Sequence, residues 1–466
     1  MLMRNNLLII KNGFVLTLDP ERRVFQAGAV VLEDDTILEV GQSAELSSRY
    51  PEAQEIDASD HAVLPGLINA HTHLFQMLSR GIGDGLPLQQ WLDKCVWPLS
   101  LRIGRTESKL AALAASAEMI KSGTTTFVDS HYITVQKDCY DGIAEAIDES
   151  GIRGVIGRST ADSDAAPSEF RETVDTAVKE AERVIKAYHG KADGRISVRV
   201  EPLNEFAATR EMVLAMRDVS RQSGVGFSMH AAETATRIEF NRRKYGHSTI
   251  RWLSELDVLG SDVLLAHCVW VDDEEIDLLA STDSAVAHNP VANQYLADGI
   301  APVPKMLAQG VRVAVATDGS GSNNSQNVFE ALKSAVLIHR VNQLDSSVLT
   351  AERALELGTI DSARAIGLGD QVGSLEPSKK ADIILVDLNR VEMLPSISAV
   401  SNLVFSTSCK AVDTVMVNGR LLMENRHLNT LKETEIVRNA NKVTRRLVDQ
   451  AGIDSGILRT GRWKYL

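Results

Sequence analysis

The chain has 466 residues, of which 44% are hydrophobic and 24% are charged, a composition typical of globular proteins rather than disordered or membrane-spanning ones. Because this length exceeds what one hydrophobic core usually supports, we expect one large and one smaller domain. The formal net charge is −13 and the Lys and Arg residues are scattered along the chain, which excludes the basic stripe typical of nucleic-acid-binding proteins.

The two ends of the chain share a pattern of short strands separated by turns. Near the start, Asn12-Gly13 interrupts an apolar run, and near the end Asn418-Gly419 does the same. We therefore predict that both termini contribute to one small β-sandwich domain.

Between the two ends, short apolar strands alternate with amphipathic helices, a pattern typical of β-α units around a parallel sheet. Eight strand candidates follow one another, which is the number that a closed TIM barrel needs. They span residues 62–68, 124–130, 153–158, 196–202, 225–229, 262–266, 284–287 and 311–316. The fold class predicted is α/β, a TIM (β/α)8 barrel with a small β-sandwich domain formed by both termini. The predicted domains are the sandwich (1–60 and 376–430), the barrel (61–375) and a C-terminal helix and tail (431–466).

The location of the protein is predicted from what the sequence does not contain. Its first apolar run is too short for a signal peptide, and no stretch of about 18 apolar residues occurs. The four cysteines lie far apart and form no C-x-x-C pair, as expected of reduced thiols. We therefore expect a cytoplasmic protein with no membrane partner and no nucleic-acid partner.

Residues able to bind a metal follow the predicted barrel strands at their C-terminal ends, the active-site face of a TIM barrel. They are His71 and His73 after strand one, His230 after strand five, His267 after strand six, His288 after strand seven and Asp318 after strand eight. Side chains alternate along an extended chain, so the imidazoles of His71 and His73 can reach the same ion. Imidazoles and a carboxylate suit one divalent ion per subunit, with Zn²⁺ favoured and Fe²⁺ as the alternative.

The chemistry expected of such a site is hydrolysis. A bound Zn²⁺ can bring the pKa of water to about 7, which makes it a nucleophile at neutral pH. Glu233, three residues after His230, is predicted to carry a proton from this water to the leaving group. Asp318 is predicted to bind the metal and also to take part in the proton transfers. His288 is predicted to orient the water or polarise the substrate. The sequence contains no G-x-G-x-x-G, P-loop or nucleophile elbow, so redox and phosphoryl-transfer functions are unsupported.

Six blocks of sequence resemble, in order, the amidohydrolase superfamily. The similarity is to its branch of atrazine chlorohydrolase, melamine deaminase, S-adenosylhomocysteine deaminase and guanine deaminase. The blocks are PGLINAHTH, HAAET, LLAHCV, AHNPVANQYLADGIAPVPKML, ATDGSGSNN and GSLEPSKKADIILVDL. The resemblance implies the same fold, hydrolytic deamination or dechlorination, and a homo-oligomer, either a dimer or a tetramer. It also implies one metal, because strand four lacks the Lys that bridges two metals in other members.

The resemblance also bears on the substrate. In nucleoside-deaminating members a Glu that grips the ribose stands where this chain has Ser100, and a His stands where it has Leu203. Loss of both contacts argues against a nucleoside, because a site that leaves polar groups unpaired selects against them. We therefore predict an aminohydrolase for a small free ring such as an aminotriazine, pterin, purine or pyrimidine base. The predicted substrate-binding residues are Gln76, Arg80, Trp91, Arg158, Leu203, Ser322 and Asn323.

Two other hypotheses stay open at this point. The same fold also suits a hydrolase that removes chloride or an alkylamine, a ring-amide hydrolase, or a deaminase of thioadenosine or adenosylhomocysteine. A scaffold protein with a vestigial site is the hypothesis from another class, and the complete ligand set argues against it.

Overall fold

The computed structural model of the protein describes residues 7–132 and 135–458. The strands are β1 (Leu7–Leu16), β2 (Val24–Glu33), β3 (Thr36–Gln42), β4 (Gln54–Asp57), β5 (His61–Pro65), β6 (Leu67–Thr72), β7 (Thr124–His131), β8 (Arg153–Thr160), β9 (Ile196–Pro202), β10 (Gly226–Ala231), β11 (Val263–His267), β12 (Ala285–His288), β13 (Arg312–Val315), β14 (Ile383–Asp387), β15 (Val412–Val417), β16 (Arg420–Glu424) and β17 (His427–Leu428).

The α-helices are α1 (Ser43–Arg49), α2 (Leu88–Trp91), α3 (Trp97–Ser100), α4 (Arg105–Lys121), α5 (Cys139–Ser150), α6 (Val174–Tyr188), α7 (Arg210–Ser223), α8 (Ala235–Tyr245), α9 (Thr249–Glu255), α10 (Asp273–Ser281), α11 (Pro290–Tyr295), α12 (Val303–Ala308), α13 (Val328–Gln343), α14 (Ala351–Leu357), α15 (Ile360–Ala365), α16 (Ala399–Phe405), α17 (Glu433–Ala451) and α18 (Ser455–Leu458). A π-helical turn (Leu92–Val96) joins α2 to α3.

Strands β6 to β13 form an eight-stranded parallel sheet in which each strand pairs with the next one along the chain. Both faces are covered, so β7 and β8 are buried at every residue, as expected for a parallel sheet. The first and last strands of this sheet approach each other. Just beyond β13, the backbone N–H of Asp318 donates a hydrogen bond to the carbonyl of His71 in β6 at 3.0 Å. The predicted TIM-type barrel is therefore confirmed, with its strand ends converging at one face.

The remaining nine strands form a second, largely antiparallel sheet built from both ends of the chain, in the order β17-β16-β15-β14-β5-β1-β2-β3 with β4 beside β1. Strands from its two halves share one hydrophobic core, in which Ile10 and Leu32 from the first half lie with Ile383 and Met416 from the second. The prediction that both termini build one small β domain is therefore confirmed, as a single sheet with a shared core.

The prediction of one strand over residues 62–68 is wrong, because this run forms two strands in different sheets. β5 pairs with β14 in the terminal sheet, whereas β6 pairs with β7 in the barrel. Gly66 separates them, and a Cβ at this position would collide with the side chain of Thr125. A continuous apolar run gives no sign of such a break, since both strands are buried.

The predicted C-terminal helix is α17, and its apolar face covers part of the barrel rim. Leu447 on this helix lies in the same hydrophobic cluster as Trp91, Val96 and Leu99. The predicted tail continues beyond the described residues, which end at 458. Within the described ranges, every helix is too short or too polar to cross a membrane.

Candidate active site

The structure brings five of the predicted residues together at the C-terminal face of the barrel. His71, His230 and His267 lie at or next to the C-terminal ends of β6, β10 and β11, respectively. His73 and Asp318 lie just beyond β6 and β13. Asp318 Oδ1 lies 3.0 Å from His73 Nε2 and 3.4 Å from His71 Nε2. The Nε2 atoms of His73 and His230 are 3.3 Å apart.

This cluster has the donor atoms of a metal site. The ligand atoms of His71, His73 and His230 lie within 4.8 Å of one another, as do those of His71, His267 and Asp318. Both His71 Nε2 and Asp318 Oδ1 are buried with no hydrogen-bond partner among the described residues. Buried lone pairs gathered at one point are costly unless a cation satisfies them, so the residues fit one divalent ion.

Three of the imidazoles are oriented by hydrogen bonds from Nδ1, which leaves Nε2 free to face the centre of the cluster. The Nδ1 partners are the carbonyl of Ser130 for His73 at 2.7 Å, the carbonyl of Leu203 for His230 at 2.9 Å, and Asn293 Oδ1 for His267 at 2.9 Å.

For three of the ligands, the surroundings favour the protonation state that binds a metal. Burial lowers the pKa of His71 to about 4, and burial with the neighbouring imidazoles holds the pKa of His230 well below its usual value. Burial raises the pKa of Asp318, but the charge of His73 outweighs it and the pKa falls well below the ordinary range. Burial also opposes the charged form of His73, yet the Asp318 carboxylate raises its pKa overall. A metal ion would displace this proton.

The backbone at two of the ligands is held in a conformation that side chains seldom adopt. The φ angle is 76° at His267 and 62° at Asp318, both in the left-handed region. Such conformations cost free energy and persist where the surrounding structure enforces them, as functional sites often do.

Glu233 lies beside the cluster, two residues after β10. Its side chain is buried, and Oε1 is 3.7 Å from His267 Nε2. Its other oxygen, Oε2, accepts a hydrogen bond from Nη1 of Arg237, one turn later in α8. One carboxylate oxygen is thus tied to Arg237, and the other faces the cluster.

A cavity of about 520 Å³ opens onto the cluster and is of the size common for small-molecule sites. Its walls are rich in aromatic side chains, which are Trp91, Trp97, Tyr132, Phe206 and Trp270. Three predicted substrate-binding residues line it, namely Gln76, Trp91 and Leu203. Gln76 is fixed there, because its amide donates to the hydroxyl of Tyr132 at 2.9 Å.

Two predicted substrate-binding arginines lie outside the cavity. Arg158 is buried and pairs in bidentate fashion with Glu172, at 2.7 and 2.8 Å. Arg80 pairs with Glu118 and is partly exposed. Both guanidinium groups are therefore engaged in ion pairs within the protein.

Ser322 and Asn323 also lie outside the cavity but act on the segment that carries Asp318. Ser322 Oγ donates to Asp318 Oδ2 at 2.8 Å, and the amide of Asn323 donates to the carbonyl of Thr317. Ser322 thus holds the carboxylate of Asp318 and Asn323 holds the backbone beside it, while their predicted contact with a substrate stays a prediction.

His288 lies behind the cluster and does not line the cavity. Its Nε2 is 3.3 Å from Nε2 of His339 on α13, and both rings are buried. Burial and the neighbouring His339 hold the pKa of His288 well below its usual value, so the ring is neutral. Its orienting role toward water stays a prediction.

Two carboxyl groups near the site were missed from the sequence. Glu201 at the end of β9 accepts a hydrogen bond from Ser130 Oγ at 2.6 Å and lies 3.6 Å from His230 Nδ1. Burial raises the pKa of Glu201 to about 7. Glu201 could have been found from the sequence, because it lies next to the C-terminal end of a barrel strand.

Asp298 lines the cavity from the segment after α11. It does not follow a barrel strand, so its position along the chain does not indicate that it lies at the active-site face.

Comparison with known proteins places the chain in a family. A model described as "Amidohydrolase family" matches residues 62–422. The chain is similar to the 5'-deoxyadenosine deaminase of Methanosarcina acetivorans, with 35% identity over 444 residues that cover 95% of this chain and 99% of the relative. It is also 34% identical to the 5-methylthioadenosine/S-adenosylhomocysteine deaminase of Syntrophomonas wolfei, over 95% of this chain and 99% of the relative.

Solved structures give the same result. An adenosine deaminase from Xanthomonas campestris with bound zinc superposes with a TM-score of 0.90 and 28% identity, covering 95% of this chain and 98% of the other. The atrazine chlorohydrolase of Arthrobacter aurescens complexed with zinc has a TM-score of 0.89 and 26% identity, over 94% and 100% of the two chains. The protein therefore belongs to the amidohydrolase family, as a hydrolase that acts on carbon–nitrogen bonds other than peptide bonds.

Proposed function

We propose that this hydrolytic deaminase uses one Zn²⁺ ion to replace the amino group of a nitrogen-rich aromatic ring by the oxygen of water, releasing ammonia. The observation that carries the proposal is the place of Glu233, whose free oxygen lies between the histidine cluster and an aromatic-walled cavity. A proton carrier at this point can reach both water at the cluster and a ring in the cavity.

The metal would be held by the cluster of four imidazoles and one carboxylate, His71, His73, His230, His267 and Asp318. When bound, a divalent ion lowers the pKa of water so that it becomes a nucleophile at neutral pH. The donor set suits both Zn²⁺ and Fe²⁺, and the zinc in both similar structures favours Zn²⁺.

Glu233 moves the protons in this proposal. Arg237 ties up Oε2, so Oε1 is the oxygen that takes a proton from the attacking water and delivers it to the ring nitrogen. Asp318, held by Ser322, orients the water, accepts its remaining proton and passes this proton to the amino group, which then leaves as ammonia.

The substrate that the cavity favours is a flat ring. Trp91, Trp97 and Trp270 offer apolar faces for such a ring, and Leu203 presents an alkyl group beside it. Ser100 is buried outside this cavity and supplies no carboxylate to it. These features support a free amino-substituted heterocycle, such as a triazine, pterin, purine or pyrimidine base.

A second candidate is a 5'-substituted adenosine nucleoside. It is favoured by the names of the similar proteins, which are a 5'-deoxyadenosine deaminase and a 5-methylthioadenosine/S-adenosylhomocysteine deaminase. The cavity is larger than a single fused ring requires, so a sugar could be accommodated.

Ammonia release from the zinc-loaded protein tests the proposal. The panel contains free bases, pterins, aminotriazines, chlorotriazines and adenosine-type nucleosides, with chloride and alkylamine measured in parallel. Ammonia from one class of free ring supports the first candidate, and ammonia only from nucleosides supports the second. Chloride or alkylamine without ammonia would contradict both.

The homo-oligomeric state and the cytoplasmic location expected from the sequence also remain proposals. Light scattering on the purified protein measures the first, and fractionation of the source cells tests the second.

A further inference from the structure

Asp298 is a buried carboxyl group in the cavity that the proposed chemistry does not use. It is 6% exposed and lines the cavity together with Trp270 and Glu233. Its Oδ2 is fully buried and has no hydrogen-bond partner among the described residues. A buried polar atom without a partner is costly, so its place in a binding cavity calls for an explanation.

Backbone hydrogen bonds hold Asp298 in a fixed position relative to the cluster of predicted metal ligands. Its N–H donates to the carbonyl of Asn293 at 2.9 Å, and its carbonyl accepts from Trp270 Nε1 at 2.7 Å. The side chain of Asn293 in turn binds His267. The Asp298 carboxyl is thus fixed relative to the position where the reacting carbon must lie.

Groups in the neighbourhood of Asp298 do not supply the missing partner. The positive charge of Arg237 acts on Asp298, but its guanidinium group is hydrogen-bonded to Glu233. Glu233 and Asp318 are carboxylates, which repel a second negative charge rather than satisfy it. Asp298 also stands apart from the two sets of ligand atoms gathered around the metal position.

We propose that Asp298 is a specificity-determining residue whose carboxyl group accepts a hydrogen bond from an N–H or O–H group of the substrate, away from the reacting carbon. The proposal rests on the function proposed above, because it concerns the same cavity. Trp270 is 47% exposed and lines the cavity beside Asp298, so an aromatic part of the substrate can lie against its ring while the donor meets the carboxyl.

The donor can belong to either of the two candidate substrates. On a free heterocycle it is a second amino group, and on a nucleoside it is a 2'- or 3'-hydroxyl of the sugar. Both present the same chemistry to Asp298, so compounds that differ only in the donor can separate them.

The test compares Asp298→Ala and Asp298→Asn with the wild type on two pairs of compounds. One pair is 2,6-diaminopurine and adenine, and the other is adenosine and 2',3'-dideoxyadenosine. We expect Asp298→Ala to lower kcat/KM by about 10-fold or more for the donor-bearing member of one pair, and by less than about 2-fold for the member without it. The pair that responds shows whether the donor is on the ring or on the sugar.

Controls separate binding from folding. Asp345→Asn changes an exposed carboxylate that is bonded to Ser347 in a surface loop, and its kcat/KM should equal that of the wild type. Circular dichroism and zinc content should be the same for all variants. An equal loss for both members of each pair, or no loss for any compound, would overturn the proposal.

Failure of the proposed function can be told apart from failure of this inference. If the wild type releases no ammonia from any of the four compounds, the deamination proposal fails for these rings. Calorimetric binding of the same pairs to zinc-loaded wild type and Asp298→Ala then tests Asp298 without turnover. A donor-dependent loss of affinity in the variant supports the inference, and equal affinities or no binding overturn it.

Discussion

Asn293 orients the imidazole of His267, because its side-chain oxygen accepts a hydrogen bond from Nδ1–H of that ring at 2.9 Å. The contact selects the tautomer in which Nε2 carries a lone pair toward the cluster. Outer partners of this kind commonly change metal affinity by about 10- to 100-fold when they are removed. The same residue holds the backbone of Asp298, so one short helix, α11, positions both a ligand and the cavity wall.

Asn293→Ala is expected to weaken zinc binding by about 10- to 100-fold, because His267 loses its orienting hydrogen bond. Competition with a chelator of known zinc affinity measures the change. The matched control is Gln294→Ala on the same helix, whose amide bonds to Ser334 and not to a ligand. Equal zinc affinity for Asn293→Ala and the wild type would contradict this role.

Glu233→Gln is expected to lower kcat by about 10²- to 10⁴-fold while zinc stays bound, since the amide keeps the shape of the side chain but cannot carry the proton. Steady-state ammonia release and metal analysis are measured on the same sample. Glu239→Gln, an exposed position on α8, is the control and should keep wild-type turnover. Retained turnover in Glu233→Gln would refute its role as proton carrier.

The cluster could be predicted from the sequence because one rule places its members. His71, His230 and His267 lie at or next to the C-terminal ends of parallel strands, and such ends meet at one face. Asp298 follows a helix instead, and only the folded path after α11 brings it to the cavity.

Arg158 shows why side-chain direction is harder to predict than strand position. It lies near the C-terminal end of β8, as a pocket residue would, but every residue of that strand is buried on one face or the other. Apolar and polar residues therefore do not alternate in a way that reveals the face, and the partner of Arg158, Glu172, lies in a connecting loop. The break at Gly66 escaped prediction for a similar reason, because both flanking strands are buried.

Arg158→Met is expected to destabilise the protein by about 3 to 5 kcal/mol, because it leaves the Glu172 carboxylate buried without its partner. Chemical denaturation measures the change in the free energy of unfolding. Adding Glu172→Gln to this variant should restore part of the loss, since no buried charge then remains unpaired. Enzyme that stays folded should keep its KM, whereas a large rise in KM would indicate that Arg158 contacts substrate after all.

His131 gives the protein a pH-dependent stability that is separate from the ligand cluster. Its Nδ1 lies 3.5 Å from Asp129 Oδ2, and both side chains are fully buried. Burial opposes the charged imidazole, but the interaction with Asp129 outweighs it and raises the pKa of His131 to about 9. The ordinary pKa is about 6.5, so protonated His131 is favoured by the folded state.

The stabilisation from His131 is therefore fully present below about pH 6.5 and is lost as the pH rises to about 9, amounting at most to about 3 kcal/mol. Thermal unfolding of the wild type and of His131→Gln, recorded at pH 6 and at pH 9, tests this. Other titrating groups, the zinc ligands included, contribute alike to both proteins and cancel in the difference between them. The difference in Tm should be large at pH 6 and small at pH 9, because only the wild type has a charge at this position to lose. A difference in Tm that is the same at both pH values would mean that His131 is neutral throughout and that its contact with Asp129 contributes no charge stabilisation.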